Sequence, residues 1–443
     1  MKFRSALSFA FGTLISRVLG FAREVIFAYS LGSSQYADAV VVAIRIPMML
    51  RGILAEGISQ NAFVPVIVRW KDKGLLWALI YIITGASALA VILGMLLSPI
   101  ILNIIAPGFS KEPEKYSFTL NAMLFTFPSL FFISASAVQM GIANSKGKFF
   151  ISGFSPVFFN LGMIVTLIFA SRYPIMGAVS FLVGCLMQFL FLLPFTFESL
   201  QKPKFNHPAV PEFFKNWISI SINGGFIQIS TFINTVISSF FPTGSIAYLN
   251  YAFRLIQLPQ GLIGVSFGTV LSKESSEEEG KALQNLQKSL LFSTVFSLFF
   301  VILFGFFGNE IIKILFVRGK FTHVDAWNTY LAILGYLPSL PAFVYSSIFL
   351  SYLFALFRRR TANEGFVLST ISNLILAPIL SAFLGYVGLA LAVSLSQIIP
   401  VLYWSYKVFG KGRYFLFVSS QLIFTFLLSL AMLYLFTLTL KIT

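Results

Sequence analysis

The chain has 443 residues, 57% of them hydrophobic and only 10% charged, with a formal net charge of +16. A mean hydropathy of +0.88, in apolar runs long enough to cross a hydrocarbon core of about 30 Å, excludes a soluble globular domain and predicts a polytopic α-helical membrane protein. A transmembrane β-barrel is excluded too, because its strands would alternate in polarity.

In chain order, thirteen apolar segments are bounded by charges, glycine and proline: approximately 5–31, 36–68, 75–105, 117–143, 149–171, 174–197, 213–241, 245–271, 284–309, 325–356, 362–384, 386–406 and 414–440. The first follows Lys2 and Arg4, as a secretory signal would. Its pattern nevertheless runs on to Leu31 through Arg17 and Arg23 without a small-residue cleavage site, so a retained helix is expected. With the N-terminus in the cytoplasm, nineteen basic residues fall on the cytoplasmic side and seven outside, Lys115 among the seven. That bias sets the orientation. It also explains the basic excess as a topology signal and removes nucleic acid as a partner. Cys185 is alone in an apolar run, which rules out an internal disulfide framework. His207 and His323 lie in connections with no partner at metal-ligand spacing, so no metal is expected. No nucleotide-binding motif is present, and no cofactor is expected.

The second and eighth segments share a pattern. AIRIPMMLRGI at 43–53 and AFRLIQLPQGL at 252–262 both place a glycine seven residues after an arginine, with a proline between. This faint repeat predicts an N-lobe of segments 1–6 (1–200), a C-lobe of segments 7–12 (212–410) and an extra helix in 411–443. Transporters built from repeats bind substrate where the repeats meet, near the midplane.

Five arginines sit inside these apolar segments: Arg17, Arg23, Arg45, Arg51 and Arg254. Each guanidinium facing lipid would cost roughly 2.5–3.5 kcal/mol, about 12–17 kcal/mol for the set. They must face protein or water. Arg17 and Glu24 project onto one side of an ideal helix while Arg23 points elsewhere. Asp38, Arg45 and Glu56 share a stripe on the next segment, bent at Pro47. One reading makes these structural ion pairs, Arg17 with Glu24 and Arg45 with Asp38 or Glu56. The other makes Arg17, Arg23, Arg51 and Arg254 a binding set, with Glu24, Asp38, Arg45 and Glu56 supporting it. Three carboxylates cannot neutralise five guanidiniums, and the surplus suits an anion. Guanidinium forks match a pyrophosphate, paired donors to paired oxygens. In the second half Asn223, Gln228, Asn234 and Asn373 are the buried polar groups, expected to hydrogen-bond between helices.

SRVLGFARE at 16–24, YADA at 36–39, RIPMMLRGILAEGISQNAFVPV at 45–66, APGF at 106–109, YAFRLIQLPQG at 251–261 and GKFT at 319–322 resemble the MurJ-type lipid II flippases of the multidrug/oligosaccharidyl-lipid/polysaccharide exporter superfamily. The resemblance covers nearly the whole chain. It implies two six-helix lobes around a central cavity and a bacterial inner-membrane protein. Such a protein moves the undecaprenyl-pyrophosphate-linked peptidoglycan precursor between leaflets, among membrane lipids and cell-wall synthesis enzymes. The family's functional arginines match Arg17, Arg23, Arg51 and Arg254, and its acid in the second helix matches Asp38. Two features depart from the family. Phe253 replaces an acid usual before the last arginine, and the C-terminal extension holds one helix where relatives often have two. A flippase for another polyprenyl-pyrophosphate glycan, a membrane enzyme acting on that lipid, and a non-transporting scaffold for cell-wall enzymes stay open as alternatives.

Overall fold

The computed structural model describes residues 3–54, 63–196, 201–260 and 281–442. Every regular element among them is a helix. The chain forms two compact units, one of residues 1–231 with Arg318–Phe321 and one of 232–317 with 322–443. Among the described residues, seven stretches are long and apolar enough to cross a membrane singly, or eight if one bent pair counts as a span. Thirteen crossings remain the expectation from sequence. The molecule is an integral membrane protein.

The first unit runs α1 (Phe3–Leu31), α2 (Gln35–Leu54), α3 (Val64–Trp70), α4 (Lys73–Leu96), α5 (Ser98–Ile105), α6 (Pro113–Thr126), α7 (Ser129–Ser145), α8 (Phe149–Leu167), α9 (Met176–Thr196) and most of α10 (Ala209–Ser238). Helix α8 packs between α1 and α9. Small residues allow this where no hydrophobic effect drives helices together inside lipid. A Cβ on Gly162 would lie 2.9 Å from the Gly184 Cα, so these two backbones touch. Pro47 lies inside α2 and lacks the N–H that would bond the Ala43 carbonyl one turn back. The Thr126 hydroxyl of α6 takes its place at 2.9 Å, so the proline leaves no buried orphan there. The segment Arg318–Phe321 is held here by the Lys320 N–H, which donates to the Tyr29 carbonyl at 2.9 Å.

The connection before α4 is pinned by Asp72. Its side chain caps α4 through the Gly74 and Leu75 N–H groups at 2.7 and 3.2 Å. It also takes the Lys204 ammonium at 2.7 Å, tying down the 201–208 segment. Chiefly that Lys204 bond holds the Asp72 carboxyl below its ordinary value. A depressed carboxylate stabilises the fold above its unfolded pKa, and that contribution disappears as pH falls through the folded value. Asp72→Asn keeps the cap but removes the charge. Melting temperature in detergent should therefore fall less steeply with acid in the variant than in the parent; parallel curves would refute the linkage.

The second unit contains α11 (Ser245–Pro259), α12 (Ala282–Phe316), α13 (His323–Tyr336), α14 (Ser339–Ala355), α15 (Arg359–Phe409) and α16 (Arg413–Ile442). As one rod the 51 residues of α15 would reach about 77 Å, far beyond the bilayer core. Gly385, at φ 56° and ψ −140°, breaks it where the sequence sets a segment boundary. The two arms pack around α14 in a core that includes Leu290, Tyr345, Phe349, Trp404 and Leu422. Pro338 separates α13 from α14, which bend by 49°. Without an N–H it cannot supply the donor that the Leu334 carbonyl would take from four residues on, and that oxygen accepts the Leu337 N–H at 3.4 Å and the Ser429 hydroxyl of α16 at 2.6 Å. The single C-terminal helix is thus fastened to the unit by its own hydrogen bond.

Both units build one junction alike. After α7, the Lys148 N–H reaches back to the Ala143 carbonyl at 2.8 Å, with Gly147 at φ 74°. After α14, the Arg358 N–H reaches the Leu353 carbonyl at 2.8 Å, with Phe357 at φ 55°. A tyrosine also ties the second helix of each unit to a carboxylate near the start of a later one. Tyr36 donates to Glu114 at 2.8 Å, and Tyr248 to Asp325 at 3.1 Å.

Candidate functional site

Arg23 is anchored on two sides. Its Nη2 meets Glu24 Oε1 at 2.5 Å and its Nη1 donates to Asn160 Oδ1 at 2.9 Å. The guanidinium also lies over the Phe159 ring, 5.6 Å from its centroid. Asn160 completes the tie by donating to the Ser16 carbonyl at 3.0 Å. Gly20 leaves room for that amide, since a Cβ there would sit 3.7 Å from it. Helical projection puts Glu24 nearer Arg17's side, but the long Arg23 side chain wraps around α1 and reaches the acid next to it. Glu24 is buried, and its pairing with Arg23 makes one fixed charge couple between α1 and α8.

Asp38 is engaged by a residue that the sequence reading puts among the outer connection charges. Lys115 is buried at the start of α6, its Nζ 3.2 Å from Asp38 Oδ2, with both side chains 1% exposed. Glu112 approaches the same ammonium at 3.5 Å, and Phe109 offers its ring face at 4.4 Å. The YADA and APGF motifs therefore meet around one buried cation. Lys115 belongs with the buried charges, and its carboxylate partner Asp38 sits one helix away, on α2.

Arg45 and Arg51 are half-buried on α2, and Arg51 Nη1 lies 3.9 Å from the Met48 sulfur. Arg17 is exposed on α1. In the second unit, Arg254 is exposed on α11, whose buried residues include Tyr251, Ala252, Leu255 and Ile256. Phe253 packs against Tyr336 and Phe343, with centroids 5.4 and 5.9 Å away. An apolar contact thus occupies that position. Glu56 and the side chain of Asn223 lie outside the described residues. Gln228 is half-buried. The expected helix-to-helix hydrogen bonds of the second half do not include Asn373. Both its amide atoms, and the Asn234 carbonyl oxygen, are buried without a partner. Cys185 is buried in α9, as a core residue should be.

Sequence reasoning missed Asn160, Phe109 and Lys115. Phe109 lies within a motif that carries the family resemblance, so a signal existed for it. Asn160 and Lys115 offered none, because Ser16 and Arg23 for the one and Asp38 for the other are far away in the chain.

This helical arrangement is that of a multispan transporter. A multidrug resistance MATE family transporter of the MOP superfamily, in an inward-facing conformation, superposes with a TM-score of 0.71 at 14% identity, covering 92% of this chain and 95% of that one. Closer in sequence is a lipid II flippase MurJ in an inward closed conformation, with a TM-score of 0.85, 26% identity and 97% of each chain covered. The family model for the lipid II flippase MurJ matches residues 27–442. A "Probable lipid II flippase MurJ" of Buchnera aphidicola subsp. Acyrthosiphon pisum is 31% identical over 91% of this chain and 83% of its own. One of Vibrio cholerae is 31% identical over 87% and 78%. The chain belongs to the MurJ family of lipid II flippases.

Proposed function

We propose that this chain translocates lipid II, the undecaprenyl-pyrophosphate-linked muropeptide, from the cytoplasmic to the periplasmic leaflet of a bacterial inner membrane. The observation that carries the proposal is the family match over 27–442, in a chain that keeps arginines at positions 17, 23, 51 and 254. In this reading Arg17, Arg51 and Arg254 supply guanidinium forks to the pyrophosphate. Arg23, oriented by Glu24 and Asn160, presents its remaining charge beside them. Two lobes, 1–200 and 212–410, alternate access while the extra helix of 411–443 stays with the second. The N-terminus is cytoplasmic, as the basic bias supports. The protein acts as a transporter and not an enzyme: Glu24 and Asp38 are committed to Arg23 and Lys115, which leaves neither as a ready general base.

Vesicles containing only the purified protein and labelled lipid II provide the test, with leaflet-resolved accessibility as the readout. The label should cross at a rate that Arg254→Ala lowers. No crossing above protein-free vesicles would overturn the proposal. A flippase for another polyprenyl-pyrophosphate glycan would transport that lipid in the same assay and leave lipid II behind. Covalent conversion of lipid II would instead point to an enzyme.

A further inference from the structure

A cavity of about 150 Å³ lies in the first unit between α4, α7 and α10. Helical spacing builds two of its walls. Ile83, Ala86 and Ser87 stand three and four residues apart and share a face of α4, as Phe213 and Trp217 do on α10. The α10 side is aromatic. The Trp217 ring is stacked on Phe213, 6.5 Å between centroids, and tilted against Phe214 at 5.8 Å. The α4 side is the open one: Ala86 is exposed, and a Cβ on Gly85 would meet nothing within 4 Å. Helix α4 is long and apolar enough to cross a membrane, so this mouth of small residues opens toward hydrocarbon.

Two donors inside the cavity have nothing to bond. The Ser134 hydroxyl, on a residue 1% exposed, and the Trp217 indole N–H are both buried without a hydrogen-bond partner. Serines inside helices commonly fold the hydroxyl back onto a carbonyl of the preceding turn. Ser129 and Ser145 of α7 do so, onto Thr126 and Ile142. Ser87, also in the lining, does so onto Thr84 at 2.9 Å. Ser134 does not. A buried donor left unpaired is costly, and such groups normally find protein, water or a ligand. Among the described residues none that lines the cavity is charged, which disfavours an ionic head group as occupant. A hydrocarbon chain would fill the space but leave both donors unpaired. Volume sets the size, since an apolar cavity of about 150 Å³ holds one benzene ring. A small neutral ring carrying a carbonyl meets these demands together. Its oxygen accepts two hydrogen bonds, and its face lies against the aromatic wall.

We propose that this cavity is a binding site for a small neutral aromatic carbonyl compound that enters from the membrane, its oxygen accepting from Ser134 and Trp217 and its ring against Phe213 and Phe214. The lining uses none of the helices that carry the candidate arginines, so the site does not depend on which substrate the protein moves.

The probe is para-fluoroacetophenone, titrated into the full-length protein in detergent and followed by its fluorine NMR signal. The control is para-fluoroethylbenzene, similar in shape but without the acceptor, both affinities being referred to concentration in the micelle. The parent should bind the ketone at least about tenfold more tightly than the control, as two neutral hydrogen bonds allow. Ser134→Ala and Trp217→Phe should each weaken ketone binding about three- to tenfold and leave the control unchanged. Without ligand, Ser134→Ala should melt no lower than the parent, because the hydroxyl it removes has no partner to lose. Ala86→Phe, a larger side chain at an exposed position, should close the mouth and abolish binding of both compounds. Equal affinity of the parent for ketone and control would overturn the proposal, marking an apolar void whose donors are served by water. So would undiminished ketone binding in Ser134→Ala and Trp217→Phe, or in Ala86→Phe, which would place the compound elsewhere. A lower melting temperature in Ser134→Ala would show that the hydroxyl already serves the fold, and would overturn it too.

Discussion

Asp38→Leu, with Lys115 left in place, should cost about 3–5 kcal/mol of folding stability, because it strands a buried ammonium without its counter-charge. Both side chains are 1% exposed and their charged atoms lie 3.2 Å apart. Glu112, 38% exposed and 3.5 Å away, can recover only part of the lost attraction. Lys115→Leu alone should cost a similar amount, through the stranded carboxylate. The double variant Asp38→Leu/Lys115→Leu should regain most of that loss, since replacing a buried pair by apolar residues is often neutral. Melting temperatures of the four proteins in one detergent provide the test. If the double variant is as unstable as the sum of the singles, the pair is not the coupling unit. A double variant that folds can also enter the vesicle assay. There, lost transport would give the pair a role in translocation, and retained transport would confine it to joining α2 and α6.

The helices were largely legible because membrane helices announce themselves by apolar length, and their interruptions by glycine and proline. Gly385 divides α15 where the apolar pattern pauses, and Pro338 stands at the bend between α13 and α14. Periodicity shows which residues share a helix face. It does not show what that face meets. Asp38 and Glu56 were the expected partners of Arg45 because the three share one stripe, and that stripe gave no sign that Lys115 of another helix reaches Asp38. The sequence surroundings of Lys115, between Glu114 and Tyr116, read as a solvated connection; only packing against Phe109 and α2 makes it interior. Asn160 illustrates the same limit. Its hydrogen bonds to Arg23 and Ser16 cross more than a hundred residues of chain, and nothing local to Asn160 encodes them. The family resemblance supplied the arginines as a set. The structure separates them by surroundings, with Arg23 fixed by named partners and Arg17 and Arg254 exposed.

That separation yields opposite expectations for two arginines of the proposed binding set. Arg23→Ala should destabilise the protein, because Glu24 is left buried without the guanidinium at 2.5 Å and Asn160 loses the donor to its oxygen. The loss should be about 3–5 kcal/mol, and Glu24→Gln in the same chain should recover part of it by removing the stranded charge. Arg254→Ala should leave the melting temperature nearly unchanged, since exposed substitutions usually fall within about 0.5 kcal/mol. Its effect should appear in transport. A hydrogen bond to a charged group contributes about 1.5–3 kcal/mol, so lipid II crossing should slow about ten- to hundredfold if Arg254 engages the pyrophosphate. Arg254→Lys should fall between, because an ammonium keeps the charge but cannot offer two parallel donors. Leaflet-resolved transport and thermal unfolding, measured on the same preparations, test both halves. Full transport by Arg254→Ala would remove that residue from the binding set. Unchanged stability in Arg23→Ala would mean that Glu24 finds another cation once Arg23 is gone, and that the α1–α8 couple is not what holds these helices together.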